Sequence, residues 1–250
     1  MSASLVDILA PRLAPLDLDH RLQLVREVIP GRIVFTTSFG VEDQFITHSI
    51  FTQGLDIDVV TIDTGRLFPE TYTLWERTEA RYSRHIRAAY PQAAATEALV
   101  AEQGINGFYK SVEARKACCH VRKVEPLGRL LDGVSGWVTG LRADQSDARA
   151  NVEIITFDAA HRTLKINPVI DYTRDAIVAA TEEFSVPVNE LHAKGFLSIG
   201  CAPCTRAIEH GESERAGRWW WEQDDKKECG LHVAADGTLK RGPAPQEASR

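Results

Sequence analysis

No stretch of this 250-residue chain approaches the roughly 18 continuous apolar residues of a membrane-spanning helix. No membrane association is expected. The opening MSASLVDILAPRLAP lacks the basic start and long apolar run of a secretory leader, so a reducing, cytoplasmic setting is the expectation. Internal repeats and low-complexity tracts are missing, and so is the G-x-x-x-x-G-K-[ST] phosphate loop. Basic residues are outnumbered and the formal net charge is −6, which argues against a non-specific nucleic-acid binder. A local basic pocket for a small anion remains open. Cysteine is scarce and odd in number, five in all. At this length and in a reducing setting that excludes a disulfide scaffold.

Apolar residues make up 44% of the chain and charged residues 26%, enough for a sizeable core. Two amphipathic helices are expected near 4–14 and 17–28. RIVFTTS (32–38) reads as a buried strand, and VEDQFITHSIFTQG as a helix ended by Gly54. DIDVVTID (56–63) reads as a second strand. Pro69 is placed to start a helix that runs to about Arg84. HIRAAY and WVTGL (137–141) read as two more short strands. Strands alternating with helices predict a doubly wound α/β fold, mainly parallel, with helices on both faces of the sheet. Ligands of such sheets bind beyond the carboxyl ends of the strands. The motif-rich loops fall there: TTSFGVED, DTGRLFPE and TGLRADQSDAR. Polar composition after residue 215 suggests two regions, a body (1–215) and a mobile tail (216–250).

Thr36 to Asp43 joins a strand to a helix. Its hydroxyls, its glycine and the amides of Ser38, Phe39, Gly40, Glu42 and Asp43 suit an anion cradle. An ordinary helix capped by Ser38 or Thr37 is the competing reading. Asp63-Thr64-Gly65 adds a second turn at the same edge and raises the case for a nucleotide site.

Four cysteines group as an adjacent pair, Cys118-Cys119, and as C-A-P-C, Cys201 to Cys204. Cys229 stands apart in KKECGLH. Neighbouring helical residues point about 100° apart. An adjacent pair therefore suits a multi-atom target better than one tetrahedral ion, although a zinc site or unrelated buried cysteines stay open. Lys123 lies four positions after Cys119, on the same face if this segment is helical; it reads either as a solvated helix lysine or as a cation that reaches a substrate anion. Trp219 to Trp221 read as packing residues.

Seven motifs stand in order: TTSFGVED, DTGRLFPETY, KACCHVRKVEPL, VTGLRADQS, GCAPCTRA, GESERAGRWWWE and KKECGLH. Together they resemble the assimilatory adenylyl-sulfate (APS) reductases of the iron–sulfur type, within the APS/PAPS reductase family. The resemblance covers about residues 30–235 and implies an adenine-nucleotide alpha-hydrolase-like fold. It implies one [4Fe-4S] cluster on Cys118, Cys119, Cys201 and Cys204, with Cys229 as nucleophile. It also assigns Arg142 to the nucleotide pocket, and Arg215 and Arg218 to the phosphosulfate. One departure is SFGVED, where many members carry an extra small residue before the glycine. Backbone amides make that interaction, so anion binding is expected to survive.

The implied activity is reduction of adenylyl sulfate to sulfite and AMP, in sulfate assimilation toward cysteine biosynthesis. The step takes two electrons. Attack by one thiolate would leave an S-sulfonate on Cys229, and a second thiol must then release sulfite. With four cysteines committed to a cluster, that thiol comes from outside, as thioredoxin or glutaredoxin. PAPS reduction, an ATP-pyrophosphatase-type adenylating enzyme and a zinc-stabilised binding module are the competing readings.

Overall fold

The computed structural model describes residues 2–146 and 149–222. Cys229 and its neighbours in KKECGLH lie outside the described residues.

Two helices open the chain, α1 (Ser2–Leu13) and α2 (Leu18–Val28). The Asp17 carboxylate caps α2 by accepting the His20 N–H at 3.0 Å. The β-branched run Ile33–Thr37 forms β1, and α3 (Val41–Thr52) follows after a three-residue turn. β2 is Asp58–Ile62. Pro69 opens α4 (Pro69–Tyr82), where its missing N–H costs nothing. Next come β3 (Arg87–Ala89), α5 (Ala93–Gln103), α6 (Val112–Cys119), α7 (Glu125–Leu131) and β4 (Gly136–Val138). The hairpin strands β5 (Ile155–Asp158) and β6 (Thr163–Ile166) precede α8 (Arg174–Glu183).

The six strands lie in the order β3-β2-β1-β4-β6-β5. All neighbours are parallel except β5, which pairs antiparallel with β6 at the edge. Alternate residues of β1 feed opposite faces. Ile33 and Phe35 join the larger core with α1, α2, α3 and α8, while Val34 joins α7 residues Leu127, Leu130 and Leu131 on the other. The expected doubly wound sheet, covered on both faces, is thus present. Strand order reverses between β1 and β4, so their carboxyl ends open a crevice.

The edge hairpin is an addition to the sequence reading. β6 is buried throughout, including Lys165, whose ammonium lies 4.8 Å from the centre of the Trp137 ring. The expected boundary at residue 215 needs moving. Trp219 and Glu222 are buried, Arg218 bridges to Thr205, and Trp219 N–H donates to the Cys204 carbonyl at 3.1 Å. The packed body therefore includes at least residues 216–222, because Trp219 takes its cover from the core.

One buried cation ties the first helices to the segment that follows β6. Arg21 Nε and Nη2 donate to the carbonyls of Leu13 and Ala14, and Nη1 donates to Pro168 O and the Asp171 carboxylate. Leaving such acceptors without a donor costs about 1–3 kcal/mol each where water cannot replace it. Asp171 is half-exposed and can rehydrate. Arg21→Met is expected to lower unfolding free energy by about 2–4 kcal/mol. Asp171→Asn is expected to cost less than half of that. Urea titrations of the two variants check the order.

Candidate active site

A cavity of about 190 Å³ sits at the β1/β4 crevice. Its floor is the ends of three strands, with Thr37 to Gly40 after β1, Thr64 after β2 and Thr139 to Leu141 after β4. Its outer wall is the segment Leu197 to Gly200 together with Glu214, Arg215, Arg218 and Trp219. Lys123 enters from the helical side.

The β1–α3 turn is tightly wired. Phe39 takes a left-handed backbone (φ 61°), and its buried ring stacks on Trp75 at 5.6 Å. A bulky residue in that region is uncommon and marks a turn held by its surroundings. The side-chain cap by Ser38 or Thr37 that the competing reading supposes is absent. Gly40 is the cap residue, and no side chain bonds there. The direction is reversed: Asp43, inside the helix, accepts the Ser38 N–H at 2.6 Å and the Ser38 hydroxyl at 2.7 Å. Thr37 Oγ1 accepts the Phe39 N–H at 3.0 Å. Two turn amides expected to cradle an anion are thus filled from within, because the motif supplies its own acceptors. Burial, the largest cause, pushes the Asp43 carboxyl up to about 6, against the opposing bonds from Ser38.

Several expected site residues support the cavity from behind. Asp63 and Gly65 build the turn after β2, where the Asp63 carboxylate accepts the Gly65 N–H and the Tyr72 hydroxyl, each at 2.8 Å. Burial first, then the bond to Asp63, pushes the Tyr72 hydroxyl up to about 12. Arg142 is fully buried and faces carboxylates. Its Nε reaches Glu42 at 2.7 Å and its Nη2 reaches Glu214 at 2.6 Å, with Asp144 on Nη1. Among the expected substrate residues, Ser38, Phe39, Gly40, Glu42, Asp43, Thr64, Lys123, Arg215 and Arg218 line the cavity. Gln145, Arg149 and Leu197 to Gly200 line it as well, and sequence reasoning missed them. Gln145 and Arg149 continue the TGLRADQSDAR motif, so the signal was present.

Arg218 is the cation most open to an anion. Only 6% exposed, it has no carboxylate partner among the described residues, and its Nε bonds to nothing there. A buried guanidinium with no carboxylate opposite it is costly, so the position favours an anionic ligand. It packs over the Trp219 ring, 4.8 Å from its centre. A Cβ on Gly200 would run into the guanidinium, so only glycine leaves it room.

Beyond Lys123 lies a second, smaller cavity that contains all four grouped cysteines. Its other walls are Arg66, Phe108, Arg115, Arg122, Lys123 and Pro203, with no carboxylate among them. α6 carries Cys118 and Cys119 at its last turn, and the chain then widens into a π turn (His120–Val124). That turn changes the simple four-residue spacing from Cys119 and places Lys123 on the walls of both cavities. Cys201 Sγ lies 3.2 Å from the Thr64 hydroxyl. Burial alone would raise the Cys201 thiol, but Lys123, Thr64, Arg218 and Arg122 outweigh it and hold it low. Burial, with the neighbouring Cys201 charge, pushes Cys204 up to about 12.

The donor set fits a thiolate-ligated iron–sulfur cluster. Four soft sulfurs meet one cavity, and Arg66, Arg122 and Lys123 on its walls can offset their charge, while Arg115 is paired with Glu222. Trp219 and Trp221 pack against this cysteine group with Phe108, as expected, whereas Trp220 is 40% exposed.

Asp43 has a measurable consequence. Its carboxyl is raised from 3.8 to about 6 in the folded protein. Between those values the folded state binds a proton that the unfolded state has released, so this group's contribution to stability falls as pH rises through that window. Asp43→Asn removes the titration. The stability of wild type relative to Asp43→Asn is expected to drop by roughly 2–3 kcal/mol from pH 4 to pH 7, the equivalent of about two pKa units. Urea melts at both pH values measure it, and a flat difference contradicts it.

Residues 32–207 match the family described as the phosphoadenosine phosphosulfate reductase domain. Over 235 residues the chain is 55% identical to an adenosine 5'-phosphosulfate reductase of Agrobacterium fabrum, covering 94% of this chain and 90% of that one. It is 50% identical over 210 residues to one from Allochromatium vinosum, covering 84% and 81%. The crystal structure of a phosphoadenylyl-sulfate (PAPS) reductase from Candida auris, a phosphate complex, superposes with a TM-score of 0.71 at 26% identity, over 83% of this chain and 98% of that one. The chain belongs to the phosphoadenosine phosphosulfate reductase family.

Proposed function

We propose that the chain reduces adenylyl sulfate to sulfite and AMP in sulfate assimilation. The observation that carries this reading is the buried Arg218 guanidinium, without a carboxylate partner among the described residues, on the wall of a sheet-edge cavity that shares Lys123 with the cavity of the four clustered cysteines. The nucleotide takes the β1/β4 crevice, and its phosphosulfate points toward Lys123, Arg215 and Arg218. Guanidinium groups suit this task because they bind oxyanions bidentately and stay charged. Arg142 acts from behind by holding Glu42 and Glu214 in place. The relatives named adenosine 5'-phosphosulfate reductase are far more similar than the PAPS reductase of known structure, which favours the nucleotide without a 3′-phosphate.

Cys229 supplies the nucleophile. Its thiolate attacks the sulfonyl sulfur and the bond from sulfur to the phosphate oxygen breaks, with the electron pair leaving on AMP. The product is an S-sulfonate on Cys229. A thiol of thioredoxin or glutaredoxin then attacks the Cys229 sulfur, and sulfite departs with the pair from the broken S–S bond. The donor's second thiol resolves the mixed disulfide. Both electrons come from the donor dithiol. Cys118, Cys119, Cys201 and Cys204 would hold one [4Fe-4S] cluster, whose role would be to organise the positively charged end of the cavity. No helix among the described residues is long and apolar enough to cross a membrane.

Two experiments test this reading. Anaerobically purified protein is expected to be brown with about four irons per chain. Serine at Cys118, Cys119, Cys201 or Cys204 is expected to remove both the colour and the activity. Stoichiometric zinc with full activity contradicts it. In the second experiment, enzyme given adenylyl sulfate without reductant is expected to release one AMP per chain and gain the mass of one SO₃ group on Cys229. Reduced thioredoxin then frees sulfite. Mass spectrometry that finds Cys229 unmodified beside intact substrate rejects the covalent route. Parallel rates on PAPS decide the nucleotide.

A further inference from the structure

Arg218 poses a mechanical problem. An arginine that keeps its charge for a ligand has no ion pair to fix its own rotamer, so packing must do it. The packing surface is the Trp219 ring, 4.8 Å from the Arg218 guanidinium carbon. The same ring lies 4.7 Å from the guanidinium carbon of Arg115, on α6. Arg115 is in turn clamped by Glu222. Its Nε and Nη2 each donate to one Glu222 oxygen at 2.8 Å, and the two side chains are 4% and 3% exposed. Backbone bonds complete the strap: Glu222 N–H to Trp219 O at 2.9 Å, and Trp219 N–H to Cys204 O at 3.1 Å. Glu222 touches neither cavity, since it lines neither of them.

We propose that Glu222 is a positioning residue for the sulfate-binding arginine: with Arg115 it clamps the segment 215–222, so that Trp219 holds Arg218 aimed into the cavity. The physical logic is a division of labour. A carboxylate placed directly on Arg218 would fix it but cancel its charge. A bidentate pair one ring away fixes the strap and leaves the charge for the ligand. Removing the Glu222 charge takes away the carboxylate of a buried bidentate pair, which disfavours the packed arrangement. The strap then loosens, and Arg218 loses the preorganisation that its contact with sulfate needs. This inference rests on the reading of Arg218 as a sulfate ligand given above.

The test measures the gain in affinity that the sulfonyl group provides, as the ratio of AMP to adenylyl-sulfate dissociation constants. Calorimetry on the full-length, iron-loaded chain carrying Cys229→Ser avoids turnover. Arg218→Ala is the control, expected to abolish most of that gain. Glu222→Gln is expected to reduce the gain about tenfold, the factor for roughly one charged hydrogen bond, while AMP affinity changes less than about twofold. Arg115→Lys keeps the charge but loses the bidentate geometry, and is expected to act in the same direction. It stands in if Glu222→Gln does not fold or does not load iron. A gain unchanged in these variants, with Arg218→Ala defective, overturns the positioning role alone. Equal losses for AMP and adenylyl sulfate also overturn it, because they mark a general structural defect. If Arg218→Ala itself retains the gain, the assignment of Arg218 to sulfate fails, and this inference with it.

Discussion

A fully buried guanidinium, Arg142, is the interaction around which the site is assembled. A charge that deep is tolerated only when opposed, and Glu42 and Glu214 oppose it at 2.7 and 2.6 Å. The two carboxylates come from opposite ends of the chain, one from the first turn of α3 and one from the loop before the tryptophan run. Arg142 itself follows β4. One side chain thereby joins the two strand ends that flank the crevice to the segment that covers it. The cavity is a consequence of that three-way attachment.

The same economy of charge recurs at the cysteine end. There the cations outnumber their carboxylates, and the excess faces sulfur. Arg115 is neutralised by Glu222, whereas Lys123 borders both cavities and shifts the Cys201 thiol downward. Paired cations build the walls, and Arg218, which lacks a carboxylate partner among the described residues, faces the space a ligand would fill. The distinction explains why arginines of similar sequence appearance serve different ends.

Much of the scaffold was legible because period and punctuation agreed. The runs at 33–37 and 58–62 are β-branched and bounded by turns, and Pro69 sits at a helix start. The edge hairpin was less legible, since a buried lysine interrupts the apolar pattern of β6 and is accommodated by the Trp137 ring. Four cysteines in one cavity followed from their grouping. The cap on α3 did not, because Asp43 reaches back across five residues to take the Ser38 amide, which the motif seemed to leave open. The boundary near 215 was misplaced because polar composition hid Trp219, whose cover comes from residues far away in sequence.

By itself the sequence determined the chemistry available: the four-plus-one division of cysteines, the arginine-rich motifs and the alternation that builds a parallel sheet. Those are properties of residue type and spacing, which survive without coordinates. Only the tertiary structure decided which arginine is spent on the fold and which faces the cavity. Arg142 and Arg218 look alike in their motifs, yet one meets carboxylates from distant loops and the other meets a tryptophan face and the bare backbone of Gly200. A guanidinium's role is set by what folding brings within about 4 Å of it, where Coulomb and desolvation energies are decided, and that neighbourhood is not local in sequence.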